Sequence, residues 1–207
     1  DMSFSPTRVF SLATFWHESG VRVAFLTDVV EEGFIAGNTV GDAYFDGSIW
    51  HLNYYFNKGL FQRYNDIDAT DHYVVAVGYD TDDTSRYTIS AWCQSTCFLN
   101  TPTAAPRLRI NEAVGCAHNA LITRLAGDGF VVAFPYLHGD LNFIRDDHYK
   151  FSSSSIIPLN GYSLAQADLA SASNLSGLSY AGSDTVVHIY SKFISWFIGV
   201  HPIGGSW

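Results

Sequence analysis

The chain has 207 residues and a formal net charge of −9, with 11 Lys and Arg against 20 Asp and Glu. That length fits a single domain with a substantial core. Clustered basic residues, which hold a phosphate backbone or an anionic lipid surface, are missing, so no nucleic-acid partner and no membrane docking or insertion are expected. Apolar residues make up 47% and charged residues only 15%, below the usual quarter or so, so much of the surface must be Ser, Thr, Asn, Gly and Tyr.

The chain opens with DMSFSPTRVF, without a basic stretch leading into an apolar one. Its first residue, Asp1, suggests a fragment cut from a longer capsid-type chain. RVFSLATFWH and VRVAFLTDVV flank Glu18-Ser19-Gly20 and read as a hairpin. FIAGNTVGDAYF and SIWHLNYYF flank the turn signal Asp46-Gly47. Alternation in the latter puts Trp50, Leu52, Tyr54 and Phe56 on one face, with His51, Asn53 and Tyr55 on the other. HYVVAVGY, YTISAWC, GFVVAFPYL after Gly-Asp-Gly, and TVVHIYSKFISWFIGV complete the set of β-like runs. Recurrent short strands with turn signals predict an all-β, single-domain antiparallel barrel or sandwich over residues 1–207. One or two short helices are expected. Val114, Ala117, Leu121 and Leu125 recur near helical spacing before Gly127, and LAQADLASASNLSG is Ala-rich.

Four groups of residues carry possible chemistry. The stretch Asp71 to Asp83, DHYVVAVGYDTDD, resembles the His-led strand of papain-like cysteine proteases, in which the histidine is the general base. Such a base needs a cysteine thiolate, and no cysteine precedes Cys93. Cys116 at the head of the expected helix, with His72, is slightly similar to the permuted NlpC/P60 arrangement, but no residue to orient His72 is assignable. His72 is therefore expected to be structural and the chain not an enzyme. Cys93, Cys97, Cys116 and His118 have a partly zinc-like spacing, but the single residue between Cys116 and His118 fits a helix poorly. No metal and no cofactor are expected, and a Cys93–Cys97 disulfide or buried thiols is the plainer expectation. HGDLNFIRDDHY, with His138, Asp140, Asp146, Asp147 and His148, reads as a solvated loop with some capacity for a cation or a sugar hydroxyl.

Aromatic residues, at 15%, exceed the needs of one core, which points to a recognition surface and a homodimer face. The turn-rich segments Gly37 to Gly47, Asp80 to Arg86 and His138 to His148 offer binding groups: Asn38, Asp42, Asp82, Asp83, Arg86, His138, Asp140, Asn142 and Arg145. Tyr79, Tyr87 and Tyr136 flank them as stacking surfaces.

This profile of an acidic, lysine-poor, aromatic-rich β chain resembles the capsid spikes of astroviruses, the avian ones in particular. The resemblance implies a β-barrel-like core, a homodimer on the virion surface and attachment to a host-cell receptor, protein or glycan, through exposed loops. A glycan-binding lectin and the Cys116–His72 hydrolase are the alternative expectations.

Overall fold

The computed structural model describes residues 5–17, 20–31, 34–55, 62–80, 83–93, 107–109, 120–138, 141–152, 155–164, 172–183, 185–192 and 195–202. They form four antiparallel sheets, each a meander of consecutive strands. The first sheet is β1 (Ser5–His17), β2 (Gly20–Glu31), β3 (Phe34–Phe45) and β4 (Trp50–Tyr55). The second is β5 (Gln62–Ala69), β6 (Tyr73–Asp80), β7 (Asp83–Cys93) and β8 (Arg107–Arg109). The third is β9 (Leu121–Arg124), β10 (Gly129–His138), β11 (Leu141–Ser152) and β12 (Ser155–Leu164). The fourth is β13 (Ala172–Gly182), β14 (Thr185–Lys192) and β15 (Ser195–Pro202).

None of the sheets closes into a barrel. They stack face to face in chain order, and the alternation of strand side chains explains how. In β6, Val74 and Ala76 join Ala13, Phe15, Ala24, Leu26 and Val40 of the first sheet in one core, with Tyr64 and Ile67 of β5. Val75 and Val77 point the other way, into a second core with Phe130, Val132, Phe134, Tyr149 and Phe151 of the third sheet. A third core joins Ala133 and Ile144 to Leu175 of the fourth sheet. The continuously apolar YVVAVG and FVVAF runs are thus strands buried on both faces, which such runs permit.

Neighbouring sheets approach most closely through their first strands, β1 to β5, β5 to β9 and β9 to β13. Sequential meanders, stacked with their first strands together, have the architecture of consecutive β-propeller blades.

The expected hairpins form, with His17 pairing with Gly20 and Phe45 with Trp50. Gly47 (φ 100°) and Gly127 (φ 65°) adopt the left-handed backbone that glycine tolerates at tight turns. Where the stretches expected to be helical are described, they are strand, residues 121–124 in β9 and 172–177 in β13. Among the described residues there is no helix, and residues 110–119 and 165–171 lie outside them. Leu121 and Leu125, four apart, share a face in a strand as well as in a helix, so their spacing could not tell the two apart. In β13, register shifts at Ala172/Asn174, Leu175/Gly177 and Tyr180/Gly182 break the two-residue alternation that marks a strand.

Candidate functional site

In each meander the turns alternate between two ends. In the second and third sheets the β5–β6 and β9–β10 turns meet at one end, the Asp71 amide donating to the Gly127 carbonyl at 3.2 Å, and the β6–β7 and β10–β11 turns lie at the other.

At the first end, carboxylates tie the sheets together. Asp66 of β5 accepts hydrogen bonds from Ser11 Oγ of the first sheet (2.5 Å) and from the Ile122 amide of the third (3.0 Å). Burial pushes its carboxyl above the ordinary value, and these bonds, with one from its neighbour Ile67, pull it back. Asp68 accepts from the Arg124 amide (2.7 Å) and from Thr123 Oγ1 (3.4 Å). Asp128, in the β9–β10 turn, accepts from the His72 amide (2.9 Å) and Thr70 Oγ1 (3.0 Å), and its Oδ2 lies 2.9 Å from His72 Nδ1.

His72 thus has an orienting partner that the sequence did not reveal. It stands exposed on a turn, and its Asp128 partner also organises the β5–β6 turn. Of the cysteines, Cys93 ends β7, its backbone paired with Tyr73, while Cys97 and Cys116 lie outside the described residues, as does His118.

A second cluster lies at the β3–β4 turn of the first sheet. Asp46 Oδ1 accepts from the Ser48 and Ile49 amides at 2.8 and 3.0 Å, the self-bonding that favours Asp in turns. Asp46 Oδ2 lies 2.6 Å from His51 Nε2. The His51 hydrogen bond first, then those from Ile49 and Ser48, lower the Asp46 carboxyl to about 2. His51 stacks on Tyr44, with ring centroids 4.7 Å apart and planes 13° from parallel. The Arg22 guanidinium carbon lies 4.5 Å from the centre of the Tyr44 ring. Strand register builds this cluster, since Phe15 pairs with Arg22, Arg22 with Tyr44 and Tyr44 with His51. The row lies on the face of the first sheet that meets the second. It grades from buried Phe15 and Arg22 to partly exposed Tyr44 and His51.

The candidates chosen from sequence fall elsewhere. Asn38 and Asp42 lie within β3, Asn38 at a register shift and Asp42 with its backbone opposite Ala24. Asp83 opens β7 opposite Asp80, and Arg86 is within β7. His138 closes β10 opposite Leu141, and Asn142 of β11 pairs with Leu137. The β6–β7 and β10–β11 turns therefore place Asp83, His138 and Asn142 at the second end. Asp82 and Asp140 lie outside the described residues. Arg145 is buried, its Nε donating to Asp147 Oδ1 at 2.7 Å and its guanidinium near the Phe134 ring.

The expected solvated loop around Asp146, Asp147 and His148 is therefore corrected. These residues are buried in β11, and Asp146 Oδ1 lies 2.8 Å from His188 Nε2 of β14, linking the third and fourth sheets. The stretch is polar yet interior because Arg145 pairs with Asp147 along the strand and Asp146 meets His188 across sheets, which composition does not show. Among the described residues, no group of three or more His, Cys, Asp or Glu is placed to hold a metal.

No protein-family model matches the chain, and no curated protein matches it significantly.

Proposed function

We propose that this protein is a carbohydrate-recognition module, a lectin-like binder, that takes its ligand at the rim where the first sheet packs on the second. The observation that carries this reading is the graded row of Phe15, Arg22, Tyr44 and His51, closed by Asp46. A sugar presents adjacent hydroxyls, which both donate and accept, beside an apolar face of C–H groups. An imidazole, a phenol and a carboxylate at the rim, above the buried Phe15 and Arg22, supply the matching chemistry in one place. With its carboxyl lowered to about 2, Asp46 remains an acceptor at every physiological pH. Host-cell attachment, the role implied by the spike resemblance, enters this proposal in its glycan form.

The hydrolase reading gains Asp128 as an orienting residue for His72. That carboxylate also satisfies a backbone amide and a hydroxyl, which a purely structural turn accounts for.

The test is a glycan array with the folded protein, followed by calorimetry on the retained glycan. Binding is expected to fall about tenfold or more in His51→Ala and Tyr44→Ala, in the range of an interface hot spot. A folded protein that retains no glycan overturns the proposal, as do variants that bind like the wild type. Peptide hydrolysis abolished by His72→Ala would establish the rival.

A further inference from the structure

At the β3–β4 turn the oxygens of Asp46 are largely engaged. Oδ1 accepts from the Ser48 and Ile49 amides, and Oδ2 contacts His51 Nε2. An ionised carboxylate accepts and never donates. Held at about 2, the Asp46 carboxyl is ionised throughout the physiological range. In the 2.6 Å contact the proton must therefore sit on His51 Nε2. In the uncharged imidazole the lone pair then resides on Nδ1.

Two further observations fix where that lone pair points and what it meets. The imidazole lies nearly flat on the Tyr44 ring, 13° from parallel, and the two residues pair directly across β3 and β4. A ring held by its face and by one nitrogen has little freedom to turn. A carboxylate has about four lone-pair sites. Ser48, Ile49 and His51 take three of those of Asp46, and the fourth is on Oδ2, beside the imidazole. The His51 and Asp46 side chains are 36% and 38% exposed, so a ligand can reach both. Arg22, the cation of the row, is buried and pairs with Tyr44 on the side away from His51. The rim pair therefore carries the charge of a carboxylate, on a chain of net charge −9.

We propose that Asp46 is a positioning residue that holds His51 in its Nε2–H form, so that His51 Nδ1 and Asp46 Oδ2 act as paired acceptors for the hydroxyls of an uncharged saccharide. Sialylated and sulfated glycans are turned away, because they bring an anion up to an ionised carboxylate. The ligand class rests on the carbohydrate reading above, whereas the tautomer of His51 does not.

Nitrogen-15 NMR at about pH 8.5, above the range in which imidazoles usually titrate, reads the tautomer directly. In the wild type, His51 should show a protonated Nε2 and an unprotonated Nδ1, a readout that needs no variant. Asp46→Asn keeps the carbonyl that the Ser48 and Ile49 amides require and sets an NH2 group against Nε2. The His51 tautomer should then invert to Nδ1–H while circular dichroism stays that of the wild type. A merely structural Asp46 would leave the tautomer unmoved. On a glycan array the retained glycans should be uncharged, and capping one with sialic acid or sulfate should weaken binding about tenfold or more. Asp46→Asn should weaken the uncharged glycan by a similar factor, since both acceptors become donors. A wild-type Nδ1–H tautomer overturns the positioning role, as does a variant with an unchanged tautomer or unchanged glycan affinity. Retention of anionic glycans overturns the ligand class and leaves the carbohydrate reading standing. An array that retains nothing removes that reading and the ligand class with it, while the tautomer measurement still decides the role of Asp46.

Discussion

The β6 strand, YVVAVGYD, and the β15 strand, SWFIGVHP, are equally apolar to the eye, yet the structure treats them oppositely. Val74, Val75, Ala76 and Val77 are buried, whereas Trp196, Phe197, Ile198 and Val200 are exposed. Both runs form antiparallel strands of similar length. The difference is position. β6 lies in a sheet packed on both faces, and β15 is the edge strand of the last sheet described. A continuous apolar run therefore signals a strand that can be buried twice over, and the neighbouring sheets decide whether it is.

The largest expected effect sharpens this contrast. Phe134→Ala, in the core between the second and third sheets, should lower unfolding stability by about 3–5 kcal/mol through lost transfer energy and a cavity. Ile198→Ala, measured in urea, should change it by no more than about 0.5 kcal/mol, as surface substitutions do. Equal losses at the two sites would break the comparison.

A smaller effect is expected at the junction of three sheets. Asp66→Asn replaces a two-oxygen acceptor that serves Ser11, Ile67 and Ile122. It should cost about 1–3 kcal/mol by leaving a buried donor unsatisfied. Burial raises the Asp66 carboxyl above 3.8. The contribution of this group is then full below the unfolded value and is lost as pH rises through the folded one. The stability gap between wild type and variant should accordingly narrow from acid to neutral pH in chemical denaturation. A gap that widens would contradict the burial argument.

The smallest effect concerns the exposed β3–β4 turn. Removing the imidazole in His51→Ala deletes the strongest influence lowering the Asp46 carboxyl. Its titration, followed by carboxyl NMR, should move up from about 2 toward 3.8. In the wild type, the part of stability owed to this carboxylate is present above the unfolded value and is lost as pH falls toward about 2. An unchanged titration would mean that the Ser48 and Ile49 amides alone hold the carboxylate.

The candidate site was only partly legible. The Asp46-Gly47 turn signal and the alternation that separates His51 from Trp50 and Leu52 are local, and both are realised. Arg22 and Tyr44 are 22 positions apart, and nothing near either residue announces the other. Only the β2–β3 register stacks them. Turn-rich composition drew attention to Asn38, Asp42 and Asn142, which lie within strands, because glycine and asparagine also occur at bulges and strand ends.

By itself the sequence determined the all-β class, the antiparallel hairpins, and the turns at Asp46-Gly47 and Gly127-Asp128-Gly129, since these depend on residues within a few positions of one another. The tertiary structure decided that the meanders stack in chain order rather than closing into a barrel. It also decided that Arg145, Asp146 and His148 are interior and that the apolar residues of β15 are exposed. The physical reason is that a strand's pattern specifies which two faces it has. What covers each face is set by partners that may lie far away in sequence, and a two-residue period carries no record of that distance.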